Sequence, residues 1–172
     1  NPDVIWSCTT CAACTEECPL LIEHVGLMVD YRRYLVERGD LPGSMLQALE
    51  SLARWGNPWN NPPAQRAAWM EPLRVPRVTE KSRDIELLYF VGCSASYDPV
   101  ARTAAKSFLE ILNRSGIAYQ VLGSEETCCG DMARRLGEEG LFRKMAEQNA
   151  ATFARLNPQR IVTTCPHCYH AF

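Results

Sequence analysis

The alternation of apolar and polar positions divides the 172-residue chain into two halves of different rhythm. From Leu20 to about Arg38 the apolar residues recur every three to four positions. Leu21, Val25, Met28 and Leu35 form one stripe, with Glu23, Asp30, Arg33 and Glu37 off it, the period of an amphipathic helix. Gly39 and the run Leu41-Pro42-Gly43 end that helix. A second helix is predicted from Ser44 to about Arg54, with Ser44 as N-cap and Leu46, Leu49 and Leu52 buried. Residues 55–78 then lose any period and carry five prolines and three tryptophans. This stretch reads as an extended connector, pinned by Trp55, Trp59 and Trp69 where a floppy linker would use Gly and Ser.

Beyond the charged stretch Glu80-Lys81-Ser82-Arg83-Asp84, unbroken apolar runs alternate with helical patterns. Ile85 to Val91 predicts a buried strand. Residues 99–114 predict a helix with Ala101, Ala104, Ala105, Phe108 and Leu112 inward. Asp98 is its N-cap, Pro99 sits in its first turn and Gly116 follows its end. Ala118 to Leu122 predicts a second strand. Residues 131–156 predict a long helical region broken near Gly137 and Gly140, with a stripe of Phe142, Met145, Ala146, Ala150 and Phe153. Ile161 to Thr164 is the third strand. The order βαβαβ implies a parallel sheet with right-handed crossovers. The expected fold class is therefore α+α/β: a helical part over 1–54, a connector over 55–80 and a parallel-sheet domain over 81–172.

Composition narrows the function. A hydrophobic fraction of 47% is a globular value and excludes wholesale disorder. A net charge of −2, a pI near 6.0 and scattered basic residues argue against a nucleic-acid partner. No run of 18 apolar residues is present to span a membrane. The opening NPDVIWSC has neither the basic nor the apolar region of a signal peptide, which predicts a cytoplasmic location. It also lacks an initiator Met, and only four residues follow the final Cys168, so both ends read as cut from a longer protein.

Nine cysteines without an export signal point to metal ligation over disulfides, and an odd number cannot all pair within one chain. Four of them, Cys8-x2-Cys11-x2-Cys14-x3-Cys18-Pro19, reproduce the spacing of bacterial ferredoxins. Three thiolates on a short loop can cap three irons of a [4Fe–4S] cubane. The fourth cysteine, fixed by proline, is expected to start a helix pointing elsewhere; in two-cluster ferredoxins it ligates the other cluster. Cys8, Cys11 and Cys14 are thus predicted to hold one cubane, while Cys18 serves a second cluster or closes a single-cluster site. Zinc is the alternative occupant. His24, mid-helix, either faces a cluster or packs at the surface.

The other five cysteines are Cys93, the adjacent pair Cys128-Cys129, and the C-x-x-C pair Cys165 and Cys168. Each group follows one predicted strand, and ligands of open parallel sheets bind beyond the carboxyl ends of the strands. All five should therefore meet at one edge. Gly92 and Gly130 are expected to let backbone approach the site, with helix N-termini near Asp98 and Asp131 favouring thiolate charge. Five thiolates exceed the four that tetrahedral zinc takes, and the surplus permits an iron–sulfur cluster of unusual shape. Glu125 and Glu126 precede the pair, and His167 and His170 flank Cys168; either histidine could move a proton or donate to a cluster sulfur. No side chain stands out as a catalytic acid or base.

The pattern Cys93-x34-Cys128-Cys129-Gly130-x34-Cys165-x2-Cys168 resembles the cysteine-rich CCG domain of heterodisulfide reductases and their relatives. These relatives include iron–sulfur subunits of glycolate and lactate oxidation and of quinone reduction linked to electron-transfer flavoprotein. The run SCTTCAACTEECPLLIEHVGLMVDYRRYL is similar to the second ferredoxin motif of the fused members. The resemblance implies cubane clusters in a helical ferredoxin-like part. At Cys93, Cys128, Cys129, Cys165 and Cys168 it implies a noncubane [4Fe–4S] cluster, with zinc or other clusters in some relatives. Fused members usually carry a preceding ferredoxin motif and commonly two CCG modules, whereas one of each is present here.

The implied function is that of an oxidoreductase component. Electrons would pass from a flavoprotein donor (an electron-transfer flavoprotein or an FAD dehydrogenase) to a disulfide or quinone acceptor. A membrane quinone-linked subunit, and so a place at the inner face of the membrane, is a further expected partner. A zinc-stabilised assembly module that docks a redox partner is the alternative. A thiol–disulfide oxidoreductase built on Cys165 and Cys168 lacks thioredoxin-like flanking sequence.

Overall fold

The computed structural model describes residues 2–172. Its N-terminal third is helical: α1 (Pro2–Ser7), α2 (Ala13–Glu16), α3 (His24–Glu37) and α4 (Gly43–Trp55). Two 3-10 helices follow, at Pro63–Gln65 and Ala68–Leu73. The remainder runs β1 (Leu87–Tyr89), α5 (Gly92–Tyr97), α6 (Pro99–Ser115), β2 (Tyr119–Val121), a 3-10 turn at Gly123–Glu125, α7 (Asp131–Leu136), α8 (Glu139–Leu156), β3 (Arg160–Val162) and α9 (Pro166–Ala171).

The sheet is parallel, in the order β2-β1-β3, with Leu88 opposite both Gln120 and Ile161. Strand β1 is central, and side chains of a strand alternate between faces. Leu88 and Phe90 pack with Leu49 and Leu52 of α4 and Met145 and Leu156 of α8. Leu87, Tyr89 and Val91 pack on the opposite face with Ala105, Leu109 and Leu112 of α6. Burial on both faces explains why 87–91 is an unbroken apolar run. Full burial of a residue such as Leu88 is worth about 1.5–3 kcal/mol. The chain leaves β1 to one side for β2 and returns past it to β3, so the strand order reverses at the carboxyl end of β1. In open α/β sheets that switch point is where a ligand crevice forms.

Several expected details differ. The first helix begins at His24, not Leu20, because Leu20 and Leu21 lie in an exposed turn after Pro19, with Leu21 left-handed at φ 55°. Cys18 consequently does not start a helix. Pro42, not Ser44, is the N-cap of α4: its carbonyl accepts from Met45 and Leu46, and Leu46 is exposed. Ala104 and Ala150 depart from expectation, both being exposed; the buried positions are Ala105, Leu109 and Leu112 on α6 and Met145, Asn149 and Leu156 on α8. Gly137 ends α7, as expected, but Gly140 lies within α8. Asp98 caps α6 by accepting from the Ala101 N–H at 2.7 Å. The two short helices α5 and α9 were not legible, being only six residues each.

The connector is the largest departure. Arg66, Ala67, Met70, Val75 and Val78 within 55–78 are buried, and Val78 and Pro76 bond across to Val121 at the edge of β2. Its proline content breaks α-helical periodicity without preventing compact 3-10 turns. Trp55 and Trp69 are only partly buried and Trp59 is exposed, so the small and aliphatic residues seat the segment.

Among the described residues, no helix is long and apolar enough to cross a membrane. The helical third meets the rest through α3 and α4, both of which contact α7. A Cβ added at Gly137 (φ +83°) would lie 2.5 Å from the Arg33 N and 2.6 Å from the Arg32 carbonyl carbon. Gly137→Ala combines a left-handed backbone with a clash against main chain, which cannot move as a side chain can. It should cost about 1–3 kcal/mol, measured as a lowered urea midpoint at unchanged slope.

Candidate metal centre

The reversal of strand order brings all three C-terminal cysteine segments to one place. Cys93 lies in the first turn of α5, directly after β1. Cys128 and Cys129 end the loop after β2, and Cys165 caps α9, whose middle carries Cys168. Gly92, at φ +82°, makes the approach possible: a Cβ there would meet the Cys168 Sγ at 3.2 Å and the Cys165 Cβ at 3.6 Å. Gly130 does not serve the same purpose, since its added Cβ would meet the Phe142 ring. Its N–H instead donates to the Cys128 Sγ at 3.5 Å.

The five sulfurs form one connected series. Cys93 and Cys128 are 3.8 Å apart, and Cys128, Cys129, Cys168 and Cys165 each shift the acidity of the next. Sharing protons along the series splits the thiol acidities. Hydrogen bonds from Cys129 and Cys93 hold the Cys128 thiol well below its ordinary range. A bond from Cys168 lowers Cys165 to about 5, helped by His167, whose Nδ1 is 3.8 Å from the sulfur. As donors, Cys93 and Cys168 are raised, and Cys129 is pushed up to about 12 by its bond to Cys128. Binding a metal requires these thiols to give up their protons.

A cavity of about 340 Å³ is lined by these cysteines and also by Thr9, Thr10 and Arg32 of the helical third. An all-sulfur donor set suits soft metals and iron–sulfur groups. Among the described residues, no three Cys, His, Asp or Glu side chains already surround a common point as ligands of a single ion. A groove of about 380 Å³ beside Arg54 and Lys144 contains no thiol.

Around Cys8, Cys11, Cys14 and Cys18 the backbone carries the signal. Thr10 and Ala12 are left-handed at φ 56° and 65°, and the Thr10 N–H donates to the Cys8 Sγ at 3.4 Å. Alternation of this kind turns successive N–H groups inward, a concavity that favours anions. The Ala13 N–H, with the Thr9 side chain, lowers the exposed Cys11 thiol. Cys11 and Cys14 are exposed, and Cys8 and Cys18 are half-buried. His24 is half-buried at the start of α3 and lines no part of the cavity; His167 does line it, and His170 lies outside it.

The sequence reading missed the polar framework beneath the thiols. Glu126 accepts from the Val91 N–H and the Gly92 N–H, each at 2.8 Å, which fixes the turn into Cys93. It also accepts from Arg66 Nη1 at 2.8 Å, and both side chains are about 1% exposed. Arg66 Nη2 donates to the Gly56 carbonyl, which also accepts from the Cys128 N–H at 2.9 Å. Asn149 Nδ2 holds the Cys128 carbonyl at 3.0 Å. Burial raises the Glu126 carboxyl, while Arg66 and the two amides pull it down toward its charged form. Arg66 gave no signal, being a lone basic residue among prolines. Glu126 was indistinguishable from Glu125, which instead pairs at the surface with Arg155.

Comparison with known proteins agrees with this geometry. Residues 87–172, half of the chain, match the CCG family, described as a cysteine-rich domain. The chain belongs to that family. It is 38% identical over 174 residues to the EtfAB:quinone oxidoreductase of Syntrophomonas wolfei, covering 98% of this chain and 24% of that protein. It is also 38% identical over 175 residues to the probable iron-sulfur-binding oxidoreductase FadF of Bacillus subtilis, covering 98% and 25%. Identity is 30% over 173 residues with one subunit of the dihydromethanophenazine:CoB--CoM heterodisulfide reductase of Methanosarcina barkeri, covering 98% and 41%. The chain thus spans about a quarter of the first two relatives' length. No solved structure matches it.

Glu126→Gln preserves an acceptor for the turn amides but leaves the Arg66 charge buried without a counter-charge. Breaking a buried pair in this way costs about 3–5 kcal/mol. Chemical denaturation of the variant should show a loss of that size, and a change under about 1 kcal/mol would contradict the framework role.

Proposed function

We propose that the chain is an iron–sulfur electron-transfer module of an oxidoreductase related to heterodisulfide reductase. Cys8, Cys11 and Cys14 would hold a [4Fe–4S] cubane, with Cys18 directed to a second cluster. Cys93, Cys128, Cys129, Cys165 and Cys168 would hold a noncubane [4Fe–4S] cluster. The observation that carries this reading is the gathering of five cysteines at the strand-order reversal, in a cavity that Thr9 and Thr10 of the ferredoxin-spaced loop also line. Membership of the CCG family and the iron-sulfur name of the Bacillus relative support it.

When bound, the clusters supply one-electron redox steps at potentials set by charge, hydrogen bonding and exposure. The chain's own part is to hold the thiols in register through Glu126 and Arg66 and to cover the sulfurs. The Thr10, Ala13 and Gly130 N–H groups donate to them. The donor we infer is a flavoprotein, and the acceptor a disulfide or a quinone, in keeping with the names of the quinone-oxidoreductase and heterodisulfide-reductase relatives. A single tetrahedral zinc would leave one of the five C-terminal thiols unused.

Anaerobic analysis of iron, sulfide and zinc, combined with electron paramagnetic resonance, tests the assignment. Protein carrying the clusters is brown with broad absorption near roughly 400 nm, whereas a zinc protein is colourless. Cys8→Ala should remove the N-terminal signal and its iron while sparing the C-terminal site, and Cys93→Ala should do the reverse. If neither substitution changes bound iron, the two-site reading fails.

A further inference from the structure

Arg32 is a buried cation without a buried anion. It lies on α3, where its neighbours one turn away are apolar, and it is 3% exposed. Nε and Nη2 donate to the Ile5 carbonyl at 3.3 and 2.9 Å, Nη2 also donates to the Cys8 carbonyl, and Nη1 donates to the Arg135 carbonyl at 2.8 Å. The guanidinium carbon is 5.6 Å from the centre of the Trp6 ring. Every hydrogen-bond partner is a main-chain carbonyl. Among the described residues no carboxylate pairs with it, whereas the more deeply buried Arg66 has Glu126.

Desolvating a guanidinium costs several kcal/mol, and carbonyl dipoles offset only part of that. Such a cation is at home where a further negative charge lies near. Two candidates flank Arg32: it grips the carbonyl of Cys8, and it lines the cavity that holds Cys93, Cys128, Cys129, Cys165 and Cys168. Thiolate-ligated clusters carry net negative charge, and each added electron increases it.

A second arginine ties the same two segments. Arg135 on α7 donates to the Thr10 Oγ1 at 2.6 Å and to Asp131 Oδ2 at 2.7 Å, and Asp131 is two residues beyond Cys129. Thr10 is β-branched and left-handed, a strained backbone state that Arg135 helps to hold. Arg135 therefore ties the Cys8 loop to the turn after Cys129, and its carbonyl holds Arg32 beside that tie.

We propose that Arg32 is a shared positioning residue whose buried charge stabilises the reduced state of both clusters and holds the Cys8 loop against α7. This rests on the two-site iron–sulfur reading given above. Electrons entering either site gain from the same cation, which raises both potentials.

The test is a redox titration of the iron-loaded protein, monitored by electron paramagnetic resonance, for wild type, Arg32→Gln and Arg32→Lys. Iron and sulfide are measured first: a wild type lacking iron at either site ends the two-site reading before any potential is compared. With both sites loaded, Arg32→Gln should disfavour reduction at each site by about tenfold, a shift of about 59 mV to lower potential for one electron. Arg32→Lys keeps the charge and should hold both sites within about threefold of wild type. Unchanged potentials in a loaded Arg32→Gln, or a shift at one site alone, overturn the proposal. If the Gln variant does not fold, the Lys variant decides, since a shift of tenfold or more there reduces Arg32 to a packing role.

Discussion

The buried contact between Arg66 and Glu126 is the constraint on which the C-terminal site depends. One carboxylate closes the turn before Cys93 by accepting two successive amides, and its partner reaches the Gly56 carbonyl that receives the Cys128 amide. Three segments distant in sequence are thereby held in one register, although the strands that deliver them are only three residues long. Short strands specify direction well and position poorly. A charged pair with few alternative partners supplies the missing precision, and its cost in desolvation is met by four directed hydrogen bonds.

Periodicity made most of the scaffold legible. The apolar run at 87–91 could be satisfied only by burial on both faces, and Asp98-Pro99 and Gly116 marked the ends of α6 through local chemistry that tertiary contacts did not override. The convergence of five cysteines followed from topology, because parallel strands share one carboxyl edge. What remained hidden lacked a period. Arg66 sits among prolines, Glu126 beside a surface twin, and α5 and α9 are shorter than two helical turns. The first helix was overextended because Leu20, Leu21 and Ile22 fit an apolar count although all three are exposed.

Arg32 stood in plain view and was passed over. It occupies a position one turn from both Met28 and Leu35, on a stripe where a charge is out of place unless something compensates it. A stripe defined only by its apolar members passes over such a residue. A charged side chain at an apolar register is the more informative observation, since burying it requires partners the sequence does not name.

The two buried arginines define different relations to charge. Arg66 is neutralised by Glu126 within the fold, so its contribution is complete in the chain itself and shows up as stability and register. Arg32 is satisfied geometrically by three carbonyls but not electrostatically, so its contribution is incomplete until an anionic group lies beside it. The first arginine builds the site, and the second lines the same cavity. That division explains why the tight backbone contact at Gly137 matters: it seats α3, and with it Arg32, against the turn after α7. A looser junction would let the guanidinium reach solvent, where screening would remove most of its influence on either group of cysteines.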